Sequence, residues 1–209
     1  MLRYDAVLFD LLTALLDSWT LWNNVAGSAA EGLRWRRAYL KISYETGAYR
    51  DYDELTAAAA EAVGLPAALG AELAARYGEI QPWPETQEVL QSLSACGLRL
   101  GVVTNCSEKL GRLAAARAGG PFDAIVTAER AGFYKPDVRP YGQALRELGV
   151  RPERCLFVAG SAYDLFGTAK LGLDTYWHDR IGLEPPAGAP QPQFHERSLA
   201  GLLKIVQCS

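Results

Sequence analysis

The chain has 209 residues, of which 49% are apolar and 22% are charged, and its formal net charge is −3. These values are ordinary for a globular protein with one domain, or with one domain and an insertion. The acidic balance without a basic cluster argues against a nucleic-acid surface, and the absence of any run of ~18 apolar residues argues against a membrane span, so we expect neither kind of partner.

The cysteines and the N-terminus bear on the compartment. Cys96, Cys106, Cys155 and Cys208 lie far apart and form no CxxC pair, so we expect reduced thiols in a cytoplasmic protein. The first residues lead directly into a predicted strand and do not resemble a signal peptide. The two histidines lack a spacing that would predict a zinc site.

The first predicted strand is the apolar run Ala6–Phe9, which ends at the carboxylate of Asp10. Residues 19–77 follow and are rich in Ala, Leu, Glu and Arg. Glycines and the Gly64-Leu65-Pro66 break divide them into about four predicted helices. Residues 81–84 contain two prolines and predict a hinge, because proline cannot continue a helix.

Beyond residue 84 the chain alternates between predicted helices and strands. The predicted helices cover residues 85–96, 108–118, 140–148, 163–171 and 198–206. The predicted strands cover residues 99–104, 122–127, 155–159 and 174–178. This alternation predicts an α/β fold with a doubly wound, Rossmann-like parallel sheet into which an all-helical segment is inserted. The proline-rich residues 184–192 predict a surface loop.

Polar side chains stand where the predicted strands end. Asp10 follows the first strand, Thr104 ends the second, and Asp164 lies shortly after the strand at 155–159. Lys135 lies in a loop between them. Because ligands bind beyond the carboxyl ends of parallel strands, we expect these side chains to form one site beneath the helical segment.

Four short motifs occur in this order along the chain. They are Phe9-Asp10, Thr104-Asn105, Lys135-Pro136-Asp137 and Gly160-Ser161-Ala162-Tyr163-Asp164. Together they resemble the motifs of the haloacid dehalogenase (HAD) superfamily of hydrolases. Tyr134 and Tyr141 around the third motif, and Trp35-Arg36, are similar to the L-2-haloacid dehalogenase branch. The resemblance implies a HAD core of residues 1–15 and 81–209 and a helical cap of residues 16–80.

The resemblance also implies roles for the polar side chains. Asp10 is expected to be a nucleophile that forms a covalent aspartyl ester. Lys135 is expected to pair with Asp10 and Asp164, and Asp164 with Ser161 to hold the hydrolytic water. In the dehalogenase branch this chemistry needs no metal or other cofactor.

Leu12 distinguishes two reactions. HAD phosphatases carry an aspartate two residues after the nucleophile, and it protonates the departing alkoxide. Without that acid, cleavage of a phosphate ester should be slower by a factor on the order of 10²–10⁴. Halide leaves without a proton, so Leu12 favours hydrolytic dehalogenation of small 2-haloalkanoic acids. Leu12 is then expected to contact the substrate carbon.

Further residues are expected to bind this small carboxylate substrate. A guanidinium suits small anions, so Arg36 is expected to bind the substrate carboxylate or the halide. The Thr104 hydroxyl is expected to donate to the carboxylate or the substrate, and the Asn105 amide to the halide or the substrate carboxylate. Tyr141 follows Lys135 by six residues, as in the branch, and is expected to lie in the pocket.

Two departures from the family pattern keep other functions open. Ala14 replaces a threonine, with Thr13 one place early, so Asp10 is expected to lose a hydroxyl partner unless the turn shifts. Ser161 lies where the branch has an asparagine. The alternatives are a HAD phosphatase acting on small phosphate esters with Mg²⁺, and a catalytically silent HAD scaffold that binds a small anion. The apolar faces of the cap also permit a homodimer.

Overall fold

We describe residues 2–207 of the chain as a computed structural model. The strands in this range are β1 (Ala6–Phe9), β2 (Leu16–Asp17), β3 (Gln81–Pro82), β4 (Arg99–Thr104), β5 (Ala124–Thr127), β6 (Cys155–Ala159), β7 (Asp174–His178) and β8 (Phe194–Glu196). The α-helices are α1 (Ser18–Ala26), α2 (Ala29–Thr46), α3 (Tyr52–Ala62), α4 (Ala68–Ala75), α5 (Thr86–Ala95), α6 (Glu108–Ala118), α7 (Ala128–Ala131), α8 (Val138–Leu148), α9 (Leu165–Leu171) and α10 (Leu202–Ile205). Short 3-10 helices cover Tyr77–Glu79, Pro152–Arg154, Ala162–Asp164 and Leu199–Gly201.

Six strands form one sheet in the order β5-β4-β1-β6-β7-β8. Every neighbouring pair is parallel, so the predicted doubly wound α/β fold is confirmed. β1 lies between β4 and β6, and all four of its side chains are buried. Val7 and Phe9 belong to the apolar core on one face of the sheet, and Ala6 and Leu8 to the core on the other.

The helices α1 to α4 lie between β2 and β3, as the sequence predicted for this part of the chain. β2 and β3 pair antiparallel, with Leu16 opposite Pro82 and Asp17 opposite Gln81. The sequence predicted a hinge here and no strand, because a strand of two residues leaves no alternating pattern. The paired strands hold together the two points at which the chain leaves and rejoins the sheet domain.

Aromatic side chains form the core of these helices. The ring of Trp22 lies 4.5 Å from that of Trp35 and 5.3 Å from that of Tyr39, and all three are buried. Tyr39 contacts the edge of Tyr52 at 5.5 Å. Such aromatic pairs bury large apolar areas at a defined geometry. They therefore fix the position of α2, which carries Arg36.

The loop between α2 and α3 is bonded to the loop that precedes α8. Tyr134 N donates to Gly47 O at 2.8 Å, and Tyr49 N donates to Gly132 O at 2.8 Å. The rings of Tyr49 and Tyr134 stack at 5.5 Å. These contacts hold the helices above the carboxyl edge of the sheet.

Near the C-terminus one strand was missed and one predicted helix is wrong in extent. β8 was not predicted, because an edge strand of three residues with an exposed His195 and Glu196 shows no apolar alternation. The helix predicted for residues 198–206 consists of a 3-10 turn at Leu199–Gly201 followed by the short α10.

The cysteines also require a correction. Cys106 and Cys155 are free and buried, whereas Cys96 is disulfide-bonded, so the prediction of reduced thiols is wrong at Cys96. Spacing along the chain misled because a disulfide depends on distance in space. Cys208 lies outside the described residues, and the cytoplasmic location stays a prediction. Within residues 2–207 no helix is long and apolar enough to cross a membrane.

Candidate active site

Asp10 follows β1 directly, at the centre of the carboxyl edge of the sheet, and is 7% exposed. The chain then turns back on itself. Asp10 Oδ2 accepts hydrogen bonds from Thr13 N at 3.0 Å, from the Thr13 hydroxyl at 2.8 Å and from Ala14 N at 3.3 Å. Thr13 thus supplies the hydroxyl that Ala14 lacks, and the expected loss of a hydroxyl partner does not occur.

The ammonium group of Lys135 lies between two carboxylates. Its Nζ is 2.8 Å from Asp10 Oδ1 and 3.0 Å from Asp164 Oδ1, and Lys135 is buried. Burial lowers the pKa of Lys135, but the two carboxylates outweigh it and raise the pKa above its usual value. Burial also raises the pKa of Asp10, but the charge of Lys135 and the bonds from Thr13 hold it below its usual value. Lys135 and Asp10 are therefore both charged at neutral pH.

Asp164 is the second carboxylate of this cluster and is fully buried. Its Oδ1 accepts from the Tyr141 hydroxyl at 2.7 Å, while its Oδ2 has no hydrogen-bond partner among residues 2–207. Burial raises the pKa of Asp164 to about 6; Lys135 opposes the rise and the charge of Asp10 adds to it. One cation thus faces two carboxylates, and Asp164 is the one that takes up a proton first as the pH falls.

Asn105 holds the backbone of Lys135. Asn105 Nδ2 donates to Lys135 O at 3.0 Å, and Asn105 Oδ1 accepts from Lys135 N at 2.7 Å. The amide therefore supports the loop, which folds back onto the end of β4. Asn105 also lines the cavity described below, and its predicted bond to a substrate stays a prediction. The Thr104 hydroxyl is buried and has no hydrogen-bond partner in the described part of the chain. The predicted bond from Thr104 to the Asp10 carboxylate is therefore absent.

Arg36 is a buried cation on α2. It is 2% exposed, and its guanidinium lies 4.6 Å from the ring centroid of Trp19 and 5.0 Å from that of Trp22. Its Nε and Nη1 atoms have no hydrogen-bond partner within residues 2–207. Aromatic faces attract a guanidinium, but they leave the N–H donors that point outward in the guanidinium plane without hydrogen bonds.

A small cavity brings most of these side chains together. Its lining residues are Asp10, Leu12, Thr13, Arg36, Tyr39, Leu40, Tyr44, Asn105, Lys135 and Ser161. Its volume, taken as the space open to the centre of a water molecule, is ≈ 20 Å³, and this is enough for about one water. A wider cleft of ≈ 430 Å³ shares Leu40 and Ser161 with this cavity. Thr104, Tyr141 and Asp164 do not line the cavity; Asp164 lies behind Lys135, which it contacts at 3.0 Å, and Tyr141 donates to Asp164.

The cavity also includes side chains of α2 beyond Arg36. Leu40 and Tyr44 follow Arg36 by four and eight positions, which places all three on one face of α2. Tyr39, on the same face, donates its hydroxyl to the backbone oxygen of Asn105 at 2.8 Å. Helical spacing from Arg36 was the signal that could have identified Leu40 and Tyr44.

Comparison with known proteins identifies the family. A family model of haloacid dehalogenase-like hydrolases matches residues 4–172. The chain belongs to this family. The family match covers the strand before Asp10, the Lys135 loop and the segment that carries Asp164.

The similarity of this HAD hydrolase to individual relatives covers different shares of the chain. This hydrolase is 30% identical over 207 residues to (S)-2-haloacid dehalogenase 4A of Burkholderia cepacia, covering 91% of this chain and 89% of that protein. It is 35% identical over 104 residues to a glyceraldehyde 3-phosphate phosphatase of Methanothermobacter thermautotrophicus, covering 47% of this chain and 45% of that protein. A solved dehalogenase structure with an intermediate complex aligns with a TM-score of 0.82 at 27% identity, over 99% of this chain and 98% of that one.

The HAD positions that vary between reactions also lie in this cavity. Leu12 is 5% exposed and lines the cavity where HAD phosphatases have an acid. The Ser161 hydroxyl is 3.4 Å from Tyr163 N, from which it accepts a hydrogen bond. Over residues 2–207 no group of three or more His, Cys, Asp or Glu side chains is placed to hold a metal ion.

Proposed function

We propose that this HAD hydrolase cleaves the carbon–halogen bond of small 2-haloalkanoic acids without a metal cofactor. In this proposal residues 16–80 form a cap over a core of residues 1–15 and 81–209. The similarity to (S)-2-haloacid dehalogenase 4A over most of both chains supports this substrate class. The substrate is then a small carboxylate, and the products are a 2-hydroxy acid and halide.

The observation that carries the proposal is the unpaired guanidinium of Arg36. It is buried and lines the same cavity as Asp10, and two of its nitrogen atoms lack a partner among the described residues. A buried cation without a counter-ion costs several kcal/mol, so an anion bound in this cavity would relieve that cost. The carboxylate of a 2-haloacid supplies the charge and, held by Arg36, its C2 carbon would lie near Asp10.

The first step needs a carboxylate nucleophile and a leaving group that requires no acid. An oxygen of Asp10 attacks C2 in line with the carbon–halogen bond, and the electron pair of that bond leaves with the halide. The burial of Asp10 favours this attack because a poorly hydrated carboxylate is more reactive and is already oriented. Leu12 contributes an apolar contact and no proton. The product is an ester between Asp10 and C2.

The second step regenerates Asp10. Water attacks the ester carbonyl of Asp10, and Asp164 accepts the proton of that water. The tetrahedral intermediate collapses with the alkoxide of the 2-hydroxy acid as the leaving group, and this alkoxide takes the proton back from Asp164. Asp10 is released as a carboxylic acid and loses its proton to solvent, because its pKa in the free protein is below the usual value. Ser161 is proposed to hold the water, and Lys135 keeps the charges of the two carboxylates close together.

The side chains around Asp10 fit dehalogenation better than they fit Mg²⁺-dependent cleavage of a phosphate ester. Lys135 binds one oxygen of Asp10 and one of Asp164, which are the carboxylates that a metal would need. Leu12 offers neither a ligand nor a general acid, at a cost on the order of 10²–10⁴ in the rate of ester cleavage. A phosphatase is therefore the outcome against which the proposal is tested.

The decisive experiment measures halide and phosphate release by one preparation. With a chelator present, the protein should release halide from chloroacetate, bromoacetate or 2-chloropropionate. With Mg²⁺ added, it should release no phosphate from small phosphate esters. Mg²⁺-dependent phosphate release without halide release would establish the phosphatase, and neither release would establish a silent scaffold.

Replacing Arg36 by Gln should weaken binding of the substrate carboxylate. The change removes a buried cation from the cavity, so kcat/KM for halide release should fall on the order of 10²-fold or more. The matched control is Arg34→Gln, an exposed arginine of α2 that pairs with Glu31 and lines neither the cavity nor the cleft, and it should keep the kcat/KM of the parent protein. Steady-state halide release by both variants measures the effect. Equal kcat/KM for Arg36→Gln and Arg34→Gln would contradict anion binding by Arg36.

The pH dependence should follow Asp164. It accepts a proton from water when ionised, so kcat should fall about tenfold per pH unit on the acid side. The charge of Asp10 helps to raise the pKa of Asp164 to about 6 in the free protein, and ester formation removes that charge. If ester hydrolysis limits turnover, the acid side of the pH profile of kcat should therefore have its midpoint below pH 6. A limb at or above the pKa of the free protein would contradict this role.

A further inference from the structure

We propose that His178 and Trp83 are positioning residues for the nucleophile, acting through the turn that follows Asp10. This inference rests on the proposed function of Asp10. The turn presents the N–H groups of Thr13 and Ala14 to Asp10 Oδ2. The carbonyl oxygens of the same two residues are each bonded to an aromatic ring nitrogen from a distant part of the chain.

Trp83 bonds the first of these carbonyls. Its Nε1 donates to Thr13 O at 3.0 Å, and its backbone N donates to Leu15 O at 3.1 Å. The Thr13 carbonyl and the Ala14 N–H belong to one peptide unit, and that N–H binds Asp10. A donor on the carbonyl oxygen fixes the plane of this peptide and polarises its N–H toward the carboxylate.

His178 bonds the second carbonyl. Its Nδ1 is 2.8 Å from Ala14 O, and the residue is fully buried at the end of β7. A carbonyl oxygen only accepts, so the hydrogen is on Nδ1, and Nε2 has no partner in the described chain. Burial lowers the pKa of His178, in keeping with a neutral ring. The ring therefore acts as a fixed N–H donor to the turn.

Gly160 closes the third side of the turn. A Cβ at this position would lie 2.1 Å from Thr13 Oγ1 and 2.3 Å from Ala14 N, so a side chain there would displace the turn. The turn is thus held by β6 through Gly160, by β7 through His178 and by the segment after β3 through Trp83. Because misplacing a reacting group by about 1 Å can cost about 10²-fold in rate, these contacts bear on the aim of Asp10.

The test compares His178→Phe, which keeps a ring but removes the donor, with His178→Asn, which places an amide N–H near the position of Nδ1. His178→Phe should lower kcat for halide release by about 10- to 100-fold with KM nearly unchanged. His178→Asn should restore most of kcat. The matched control is His195→Phe on the neighbouring strand, where the ring is half exposed and stacks on Trp177, and its kcat should not change.

Three outcomes would overturn the inference: unchanged kcat in His178→Phe, an equal loss in both His178 variants, or a change in KM alone. Should His178→Phe fail to fold, Trp83→Phe carries the same test at the Thr13 carbonyl. Hydrogen exchange at the Thr13 and Ala14 amides adds a readout that needs no substrate, and it should be about tenfold faster in the variant. A protein that releases no halide but still shows this change in exchange would refute the proposed function and keep the positioning role.

Discussion

Replacement of Asp10 by Asn is expected to abolish halide release, with a loss in kcat on the order of 10⁴-fold or more. The amide is nearly the same size as the carboxylate, so the turn at Thr13 and Ala14 can still form. The amide oxygen is a far weaker nucleophile, and the negative charge that faces Lys135 at 2.8 Å is lost. Steady-state halide release from 2-haloacids measures the loss.

The covalent ester also predicts where oxygen from water appears in the parent protein. When one turnover is run in heavy-oxygen water, water attacks the ester carbonyl, so the heavy isotope should appear in the Asp10 carboxylate. Mass spectrometry of the peptide that contains Asp10 detects it. For the Asp10→Asn measurement the matched control is Asp5→Asn. Asp5 lies at the other end of β1 and pairs with Arg154, so the kcat of this variant should not change. Heavy oxygen found exclusively in the product would show direct attack by water and refute the ester.

Much of the fold was predictable from local pattern. β1 is a continuous apolar run that ends at Asp10, and β4 and β6 read in the same way, because both faces of a parallel sheet are buried. Their parallel order then places the strand ends at one edge. β2 and β8 were not predicted, since short strands at the margin of a fold take their structure from pairing and leave no period in the sequence.

The charged centre was predictable in its members and less so in its geometry. Asp10, Lys135 and Asp164 were identified from motifs, and the structure places Lys135 within 3.0 Å of both carboxylates. The hydroxyl partner of Asp10 was expected to be lost with Ala14, yet Thr13 reaches the same oxygen. A side chain one position earlier can serve because the turn, which the sequence does not specify, sets its direction.

The supports of the site were the least predictable. Asn105 bonds the backbone of Lys135, and the carbonyls of the turn after Asp10 are bonded to Trp83 and His178. Each of these contacts joins segments that are far apart in sequence, so no local period or motif records them. Arg36 was identified as an anion ligand, but its lack of a protein partner is visible only in three dimensions.

Replacing Lys135 by Met is expected to have the largest effect on stability. The change leaves Asp10 and Asp164 buried without a cation, and breaking a buried ion pair in this way costs about 3–5 kcal/mol of the free energy of unfolding. Without the cation, burial and mutual repulsion raise the pKa of both carboxyl groups above their unfolded values. Their ionisation then destabilises the variant as the pH rises, so its deficit should be large at pH ~7 and small near pH ~4. Urea unfolding at both pH values measures the deficit.

Lys41→Met provides the matched control, because it breaks an ion pair of the same chemistry at the surface. Lys41 Nζ lies 2.9 Å from Glu45 with both side chains exposed, and solvent screens such a pair so that it contributes little to the free energy of unfolding. In the parent protein the two carboxyl groups act in opposite senses. The pKa of Asp164 is raised to about 6, so Asp164 lowers the stability as the pH rises from its unfolded pKa to that value, while Asp10 gives the opposite trend at more acid pH. The pKa of Asp10 is lowered, so the stability that Asp10 gains from Lys135 is present above the unfolded pKa and is lost as the pH falls through the folded value. A Lys135→Met deficit that stays the same from acid to neutral pH would show that the lysine contributes packing and not charge.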